Sequence, residues 1–147
     1  MALRELLLEH ADSRDLTKLA EYEAVGGYES LRKALGMERQ AVLDELLAAD
    51  VRGRGGAGFP MGRKASFLPK AQDSPNPIYL VVNADESEPG TFKDREIMLR
   101  VPHLFIEGVF IAAHTIGSNL AFIYVRGEYL TEYEVLVAAL EEAREAG

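Results

Sequence analysis

Two continuous β-prone runs, IYLVV at 78–82 and LAFIYV at 120–125, limit what this chain can fold into. Unbroken apolar runs of this kind read as strands buried on both faces. The sequence between them predicts two helices. Thr91 and Asp94 resemble an opening cap for a helix to about Arg100, and Pro102 suits the first turn of a second, to about Ile116. The second helix is apolar nearly all round and should be buried. Strands joined through helices pair in parallel with a right-handed crossover. After the second run, RGEYL turns the chain, and Thr131 with Glu134 forms a capping box for a last helix. Its apolar face would be Tyr133, Leu136, Val137 and Leu140, with Gly147 at its end. The expected class is α/β. Two parallel strands are few for a sheet, so the chain reads as the incomplete front part of a longer domain.

Upstream, Gly26-Gly27 and Gly36 break the first segment into short helical pieces, and Val42, Leu43, Leu46 and Leu47 stripe a helix over 38–49. The expected organisation is a helical N-terminal leader over 1–50 and the α/β part over 51–147. QDSPNP at 72–77 reads as a surface loop. A hydrophobic content of 48% and charged content of 27% are those of a globular protein. The net charge of −8 argues against general nucleic-acid binding. With no cysteine, the 147 residues hold no disulfide and no thiolate-bound metal or cluster of their own. LFIEGVFIAAHTIG is too short for a bilayer span.

Two segments could carry chemistry. In RGRGGAGFP, 52–60, Gly53, Gly55 and Gly58 have the G-x-G-x-x-G spacing. A dinucleotide fingerprint needs a strand before it and a helix after it, whereas here a helix precedes and Phe59-Pro60 should break the next segment. Phosphate binding through backbone amides and a plain structural turn both stay open. Arg52, Arg54, Arg63 and Lys64 put four cations within thirteen residues of an acidic chain, which favours an anion. The other segment, NADESEPG at 83–90, follows the first strand, and Arg126 to Glu128 follow the second. Ligands of open α/β sheets bind beyond the strands' carboxyl ends. Parallel strands would therefore gather Asn83, Asp85, Glu86, Glu88, Arg126 and Glu128 on one edge. Taken alone, the acidic turn is also an ordinary Pro-Gly turn. Phe59 and Phe67 read as core residues at this level. His103 and His114 are isolated and fit no metal-ligand spacing.

In combination and in this order, RGRGGAGFP, NADESEPGTFKDR, PHLFIEG and YVRGEY closely resemble the NADH-oxidising flavoprotein subunit of respiratory complex I, from about Val51 onward. The resemblance implies a Rossmann-like FMN-binding domain with NADH stacked over the flavin. It implies that Gly53, Arg54, Gly55 and Lys64, with Asn83, Asp85, Glu86 and Ser87, hold FMN. The nucleotide-binding loop would run from Gly53 to Gly62, taking in Gly56 and Gly58. Phe59 and Phe67 would flank adenine, and Glu88 would lie beside the nicotinamide as the catalytic residue. No metal ligand is expected here; a four-iron cluster would belong to a later segment. The implied partner is a thioredoxin-like small subunit, with other hydrophilic-arm subunits. The implied place is the cytoplasmic side of the inner membrane, peripheral and indirect. The diaphorase subunit of a soluble NAD-reducing hydrogenase or of an NAD-dependent formate dehydrogenase shares these motifs. An inactive piece or interaction module without cofactor is the reading from another class.

Overall fold

The computed structural model describes residues 6–147. Strand β1 (Tyr79–Ala84) pairs in parallel with β2 (Leu120–Val125), in a register running from Tyr79 opposite Leu120 to Ala84 opposite Val125. Three helices lie around this pair: Lys93–Arg100, Pro102–Ile116 and Leu130–Ala146. Upstream lie α1 (Leu19–Glu23), α2 (Glu29–Leu35), α3 (Arg39–Ala48) and α4 (Met61–Ala65), so the three are α5, α6 and α7. The parallel crossover expected from the sequence is present, and both strands deliver their carboxyl ends to one edge.

The strands are covered on one face. Ala84, Met98 of α5 and Leu136 of α7 form the core, with Phe105, Ile123, Val125 and Tyr129 packed against it. Ser118 ties the strand starts together: its hydroxyl accepts from the Leu80 N–H at 3.1 Å and donates to the Leu120 carbonyl at 2.9 Å. The opposite face corrects the expectation of strands buried on both sides. Tyr79, Val81, Leu120, Phe122 and Tyr124 are all exposed, and the Tyr79 and Phe122 rings meet edge to face at 6.1 Å. Side chains alternate across a pleated sheet, so one face of each continuous apolar run projects away from the helices.

Two further expectations fail at helix starts. Thr91 donates to the Glu88 carbonyl rather than capping α5, and no side-chain cap opens α7, where Thr131 falls inside the helix. On α7 the buried residues are Glu132, Leu136 and Ala139, while Tyr133 is exposed. Glu132 is drawn inward by Arg95, whose Nε donates to it at 2.7 Å.

The leader is fastened to the α/β part by buried polar groups. Glu107 of α6 accepts from the Tyr22 hydroxyl, from the Tyr28 N–H at 3.0 Å and from the Leu31 N–H at 2.9 Å. The two amides belong to the first turn of α2, so α6 supplies the cap that α2 lacks locally. The Tyr28 hydroxyl lies 2.9 Å from Nδ1 of His103, a fully buried ring that stacks on Tyr22. Burial pushes the His103 imidazole below the usual histidine range, against the opposing pull of Glu142. Burial, reinforced by Glu107, raises the Tyr28 phenol to about 12. Glu142 of α7 accepts from the Leu19 N–H at 2.7 Å, at the start of α1. His103 is thus structural, as its isolation in the sequence implied. Among the described residues no group of acidic and histidine side chains could hold a metal ion, and no single helix is long and apolar enough to cross a membrane.

Gly62 is where α4 meets α3. A Cβ there would stand 2.8 Å from the Leu47 nitrogen and 2.9 Å from the Leu46 carbonyl carbon. Backbone atoms cannot swing aside, so Gly62→Ala is expected to cost about 2 kcal/mol of stability. Urea unfolding followed by far-UV circular dichroism measures this; an unshifted midpoint would mean that α4 simply lifts away.

Candidate functional site

The glycine loop leaves α3 through Asp50, whose φ of +47° makes it one of the left-handed non-glycine residues. Its neck is closed by two backbone hydrogen bonds, Met61 N–H to the Val51 carbonyl at 2.8 Å and Gly53 N–H to the Phe59 carbonyl at 3.0 Å. Between them the chain bulges into solvent. Gly56 and Gly58 have φ of +143° and +64°, which side-chain-bearing residues rarely adopt. A Cβ on Gly55, Gly56 or Gly58 would meet nothing within 4 Å, so the loop backbone borders open space there. Pro60 does not break the next segment as expected. Its φ of −61° leads directly into α4, whose first residue is Met61.

Charge around the loop is unevenly neutralised. Arg52 is held by Asp50 at 2.7 Å. Arg54, Arg63 and Lys64 are exposed, and their side chains have no acidic partner or hydrogen bond among the described residues. The Phe59 and Phe67 rings lie 6.1 Å apart, tilted by 47°, and both are exposed. This overturns the core reading of these two rings. Gly62 differs from the other predicted loop residues, being buried against α3.

On the strand edge, β1 runs two residues further than predicted, so Asn83 and Ala84 are its last members. The Asn83 side-chain oxygen accepts from the Asp85 N–H at 2.8 Å, and the Ser87 hydroxyl donates to Asp85 at 2.9 Å. Asn83, Asp85, Ser87 and Glu88 are exposed. Glu86 is not: its side chain is 2% exposed. Its carboxylate accepts from the Asp94 and Arg95 N–H groups at 3.0 and 3.1 Å, at the start of α5. Burial opposes ionisation of Glu86, but these amides and the Lys93 ammonium outweigh it and hold the carboxyl below the usual range. The inward turn of Glu86 leaves its neighbours Asp85, Ser87 and Glu88 facing solvent.

Arg126, at the end of β2, binds this turn. Its Nη1 donates to the Glu86 carbonyl at 2.7 Å, its Nη2 to Glu128 at 2.6 Å, and its Nε lies 3.9 Å from Asp85. The guanidinium stands 5.5 Å over the Tyr129 ring, and Arg95 approaches that ring at 5.9 Å. The polar edge expected from parallel pairing is therefore present. The parts played by Tyr129 and Arg95 were not foreseen. Only their positions beside neighbouring elements, α7 and α5, bring them there.

The residues thus form two groups: the glycine loop with Phe59, Lys64 and Phe67, and the turn from Asn83 to Glu88 with Arg126. Among the described residues no hydrogen bond or ion pair joins the two. The first offers backbone amides and cations, a donor set for phosphate. The second offers acceptors and an amide, a set for hydroxyls and a polar heterocycle. Together with exposed aromatic faces, that chemistry fits a flavin nucleotide. A cleft of about 470 Å³ between α3, the end of α4 and the end of α6 involves neither group.

Comparison with known proteins supports the same chemistry. Residues 46–147 match the model of the Nuo51 FMN-binding domain. An NADH-quinone oxidoreductase subunit of Aquifex aeolicus is 49% identical over 142 residues, covering 97% of this chain and 33% of its own. An NADH-quinone oxidoreductase subunit of Rhizobium meliloti is 51% identical over 143 residues, covering 97% and 34%. This chain spans about a third of the length of these curated relatives. A chain of an NAD+-reducing nickel–iron hydrogenase, solved in the air-oxidized state, superposes with a TM-score of 0.72 at 33% identity, covering 97% of this chain and 23% of that one.

Folding holds the Glu86 carboxyl below its unfolded value, so its stabilisation is complete above about pH 4.5 and drains away as the pH falls through the folded value. Glu86→Gln should lower stability by about 1 kcal/mol at pH 7, the worth of a helix cap, and by much less near pH 3. Paired urea titrations at the two pH values test this; an equal deficit at both would contradict an ionised cap.

Proposed function

This chain belongs to the Nuo51 FMN-binding domain family, and from that premise we propose that it is the FMN- and NADH-binding front part of an NADH dehydrogenase flavoprotein. The observation that carries the reading is the open glycine loop flanked by unpaired Arg54, Arg63 and Lys64. In an acidic chain, cations without carboxylate partners beside exposed backbone amides fit an anionic ligand better than a structural turn.

Bound FMN would supply the redox chemistry, taking hydride from NADH and passing electrons on toward quinone. The residues here bind and orient. Gly53, Gly55, Gly56 and Gly58 let amides approach phosphate, while Arg54 and Lys64 offset its charge. Asn83, Asp85 and Ser87 present polar groups to the flavin and its ribityl chain. Phe59 and Phe67 offer faces for adenine. Glu88 is exposed on the same edge, and we assign it to the nicotinamide end, where a carboxylate stabilises the positive ring of NAD+. We assign Glu86 to positioning, since its carboxylate is spent on α5, and Gly62 to the packing that seats α4.

By the same reading the whole protein sits in a peripheral arm on the cytoplasmic side of the inner membrane. A thioredoxin-like small subunit would be its neighbour, and an iron–sulfur cluster in a later segment would receive the electrons. The hydrogenase likeness supports a second reading, the diaphorase module of an NAD-reducing hydrogenase. The greater identity to the NADH-quinone oxidoreductase relatives favours the first.

Titrating FMN with the purified chain and following flavin fluorescence tests the proposal. Quenching with a defined affinity is expected, and the Arg54→Ala, Lys64→Ala double variant should bind at least ~10-fold more weakly with a shallower salt dependence. No quenching by the unaltered chain would refute it. With FMN loaded, Glu88→Gln should retain flavin affinity yet change the bleaching of the visible flavin band by NADH. Identical bleaching would remove Glu88 from the nicotinamide end.

A further inference from the structure

We propose that the leader is an acid-releasable unit: His103, buried beneath α1 and α2, holds it shut while its imidazole is neutral, and protonation of that ring loosens α1 and α2 from α6 and α7. The proposal is independent of the flavin reading.

The attachment of the leader leans on polar contacts. Up to the end of α2, the buried apolar residues among those described are Leu16, Tyr22, Tyr28 and Ala34, and both tyrosines spend their hydroxyls on α6. The remaining ties are the Tyr28 and Leu31 amides on Glu107 and the Leu19 amide on Glu142. His103 lies at the centre of this set and is 0% exposed.

The hydrogen bonds fix its tautomer. The Tyr28 hydroxyl has one partner among the described residues, Nδ1 of His103 at 2.9 Å. A buried hydroxyl needs an acceptor, so it donates to Nδ1 and the ring's hydrogen stands on Nε2. Nε2 makes no hydrogen bond, although Oε2 of Glu142 is 3.5 Å away. A second proton would arrive on Nδ1 and meet the phenol hydrogen. The hydroxyl would then have to turn round and give up its acceptor.

The surroundings offer the resulting cation little. Burial raises both phenols, Tyr28 to about 12, so Tyr22 and Tyr28 stay neutral. Glu107, one turn along α6, has given its oxygens to Tyr22, Tyr28 and Leu31. Glu142 of α7 is shared with the Leu19 amide and with Lys18, 3.7 Å away, and that amide above all keeps its carboxyl below the usual range. Glu23 of α1 is paired with Arg32. Burial therefore outweighs the pull of Glu142 and weakens proton binding by the closed ring. Once α1 and α2 lift, water reaches the ring and it takes up a proton at its ordinary pH. The closed leader is at its most stable above about pH 6.5 and weakens as the pH falls below it.

Amide hydrogen exchange of the ¹⁵N-labelled full chain, corrected for intrinsic rates between pH 7.5 and 5, tests this. Protection of the Leu19, Tyr28 and Leu31 amides should fall by up to ~10-fold per pH unit below about pH 6.5, the slope of one proton. The hydrogen-bonded amides of β2 should not follow. In His103→Gln, with folding checked by far-UV circular dichroism, the leader profile should flatten. Leader protection that is flat or rises on acidification in the unaltered chain overturns the proposal. So does a loss that persists in His103→Gln, which would belong to a carboxylate or to His114, whose Nε2 lies 3.4 Å from the Met37 carbonyl. Should His103→Gln fail to fold, long-range ¹H–¹⁵N spectra of the unaltered chain decide. A neutral His103 ring with its hydrogen on Nε2 at pH 6 is expected, and a hydrogen on Nδ1 at that pH overturns the latch.

Discussion

Orphan amides at helix starts organise this chain. A helix leaves its first N–H groups without intrahelical partners, and here three glutamates from other segments supply them. Glu142 serves α1, Glu107 serves α2 and Glu86 serves α5. Each contact joins two elements that would otherwise only touch, and each carboxylate sits at the positive end of a helix dipole. Burying a carboxylate is costly unless its lone pairs are filled. Glu107 fills them with two amides and a phenol, so its charge stays satisfied without a cation. The leader is consequently part of the same packed body as α6 and α7.

This arrangement explains what could be read from the sequence and what could not. Local signals dominated by covalent preference worked. Pro102 opens α6, which ends at Ile116 as expected, and the Gly26-Gly27 and Gly36 breaks separate α1, α2 and α3. Signals that assume a helix caps itself did not work. Thr91 and Thr131 match a cap pattern, but a glutamate from another segment already satisfies α5, and α7 begins without a side-chain cap. Nothing in a linear spacing shows that Glu86 lies under the first turn of α5 while Ser87 and Glu88 stay outside. The strands failed for a different reason. A continuous apolar run is identical in composition whether one face or two are covered, and only the packing shows that Val81 and Phe122 project away from the helices.

The candidate site obeys the same division. Its positions were legible because parallel pairing fixes which edge receives the residues after each strand. Glu86 shows the limit of carrying roles over by motif: its place in the turn was foreseen, but its carboxylate faces inward. Phe59 and Phe67 show the converse, since residues with a core composition stand exposed beside the loop. A buried pair would have been mute about ligands; here the rings stand exposed at 6.1 Å beside unpaired cations, the combination on which the proposed adenine contact draws.

The division of labour between the two groups comes from their electrostatics. The glycine loop has cations to spare, whereas the turn's one arginine is consumed by Glu86, Glu128 and Asp85. A phosphate placed at the turn would meet Asp85 and Glu88 and no free positive charge, a repulsive setting. A nicotinamide cation placed at the loop would meet Arg54, Arg63 and Lys64. The two segments therefore favour opposite charges, the loop an anionic group and the turn a neutral or cationic one. That contrast is set by where carboxylates have already claimed their cations.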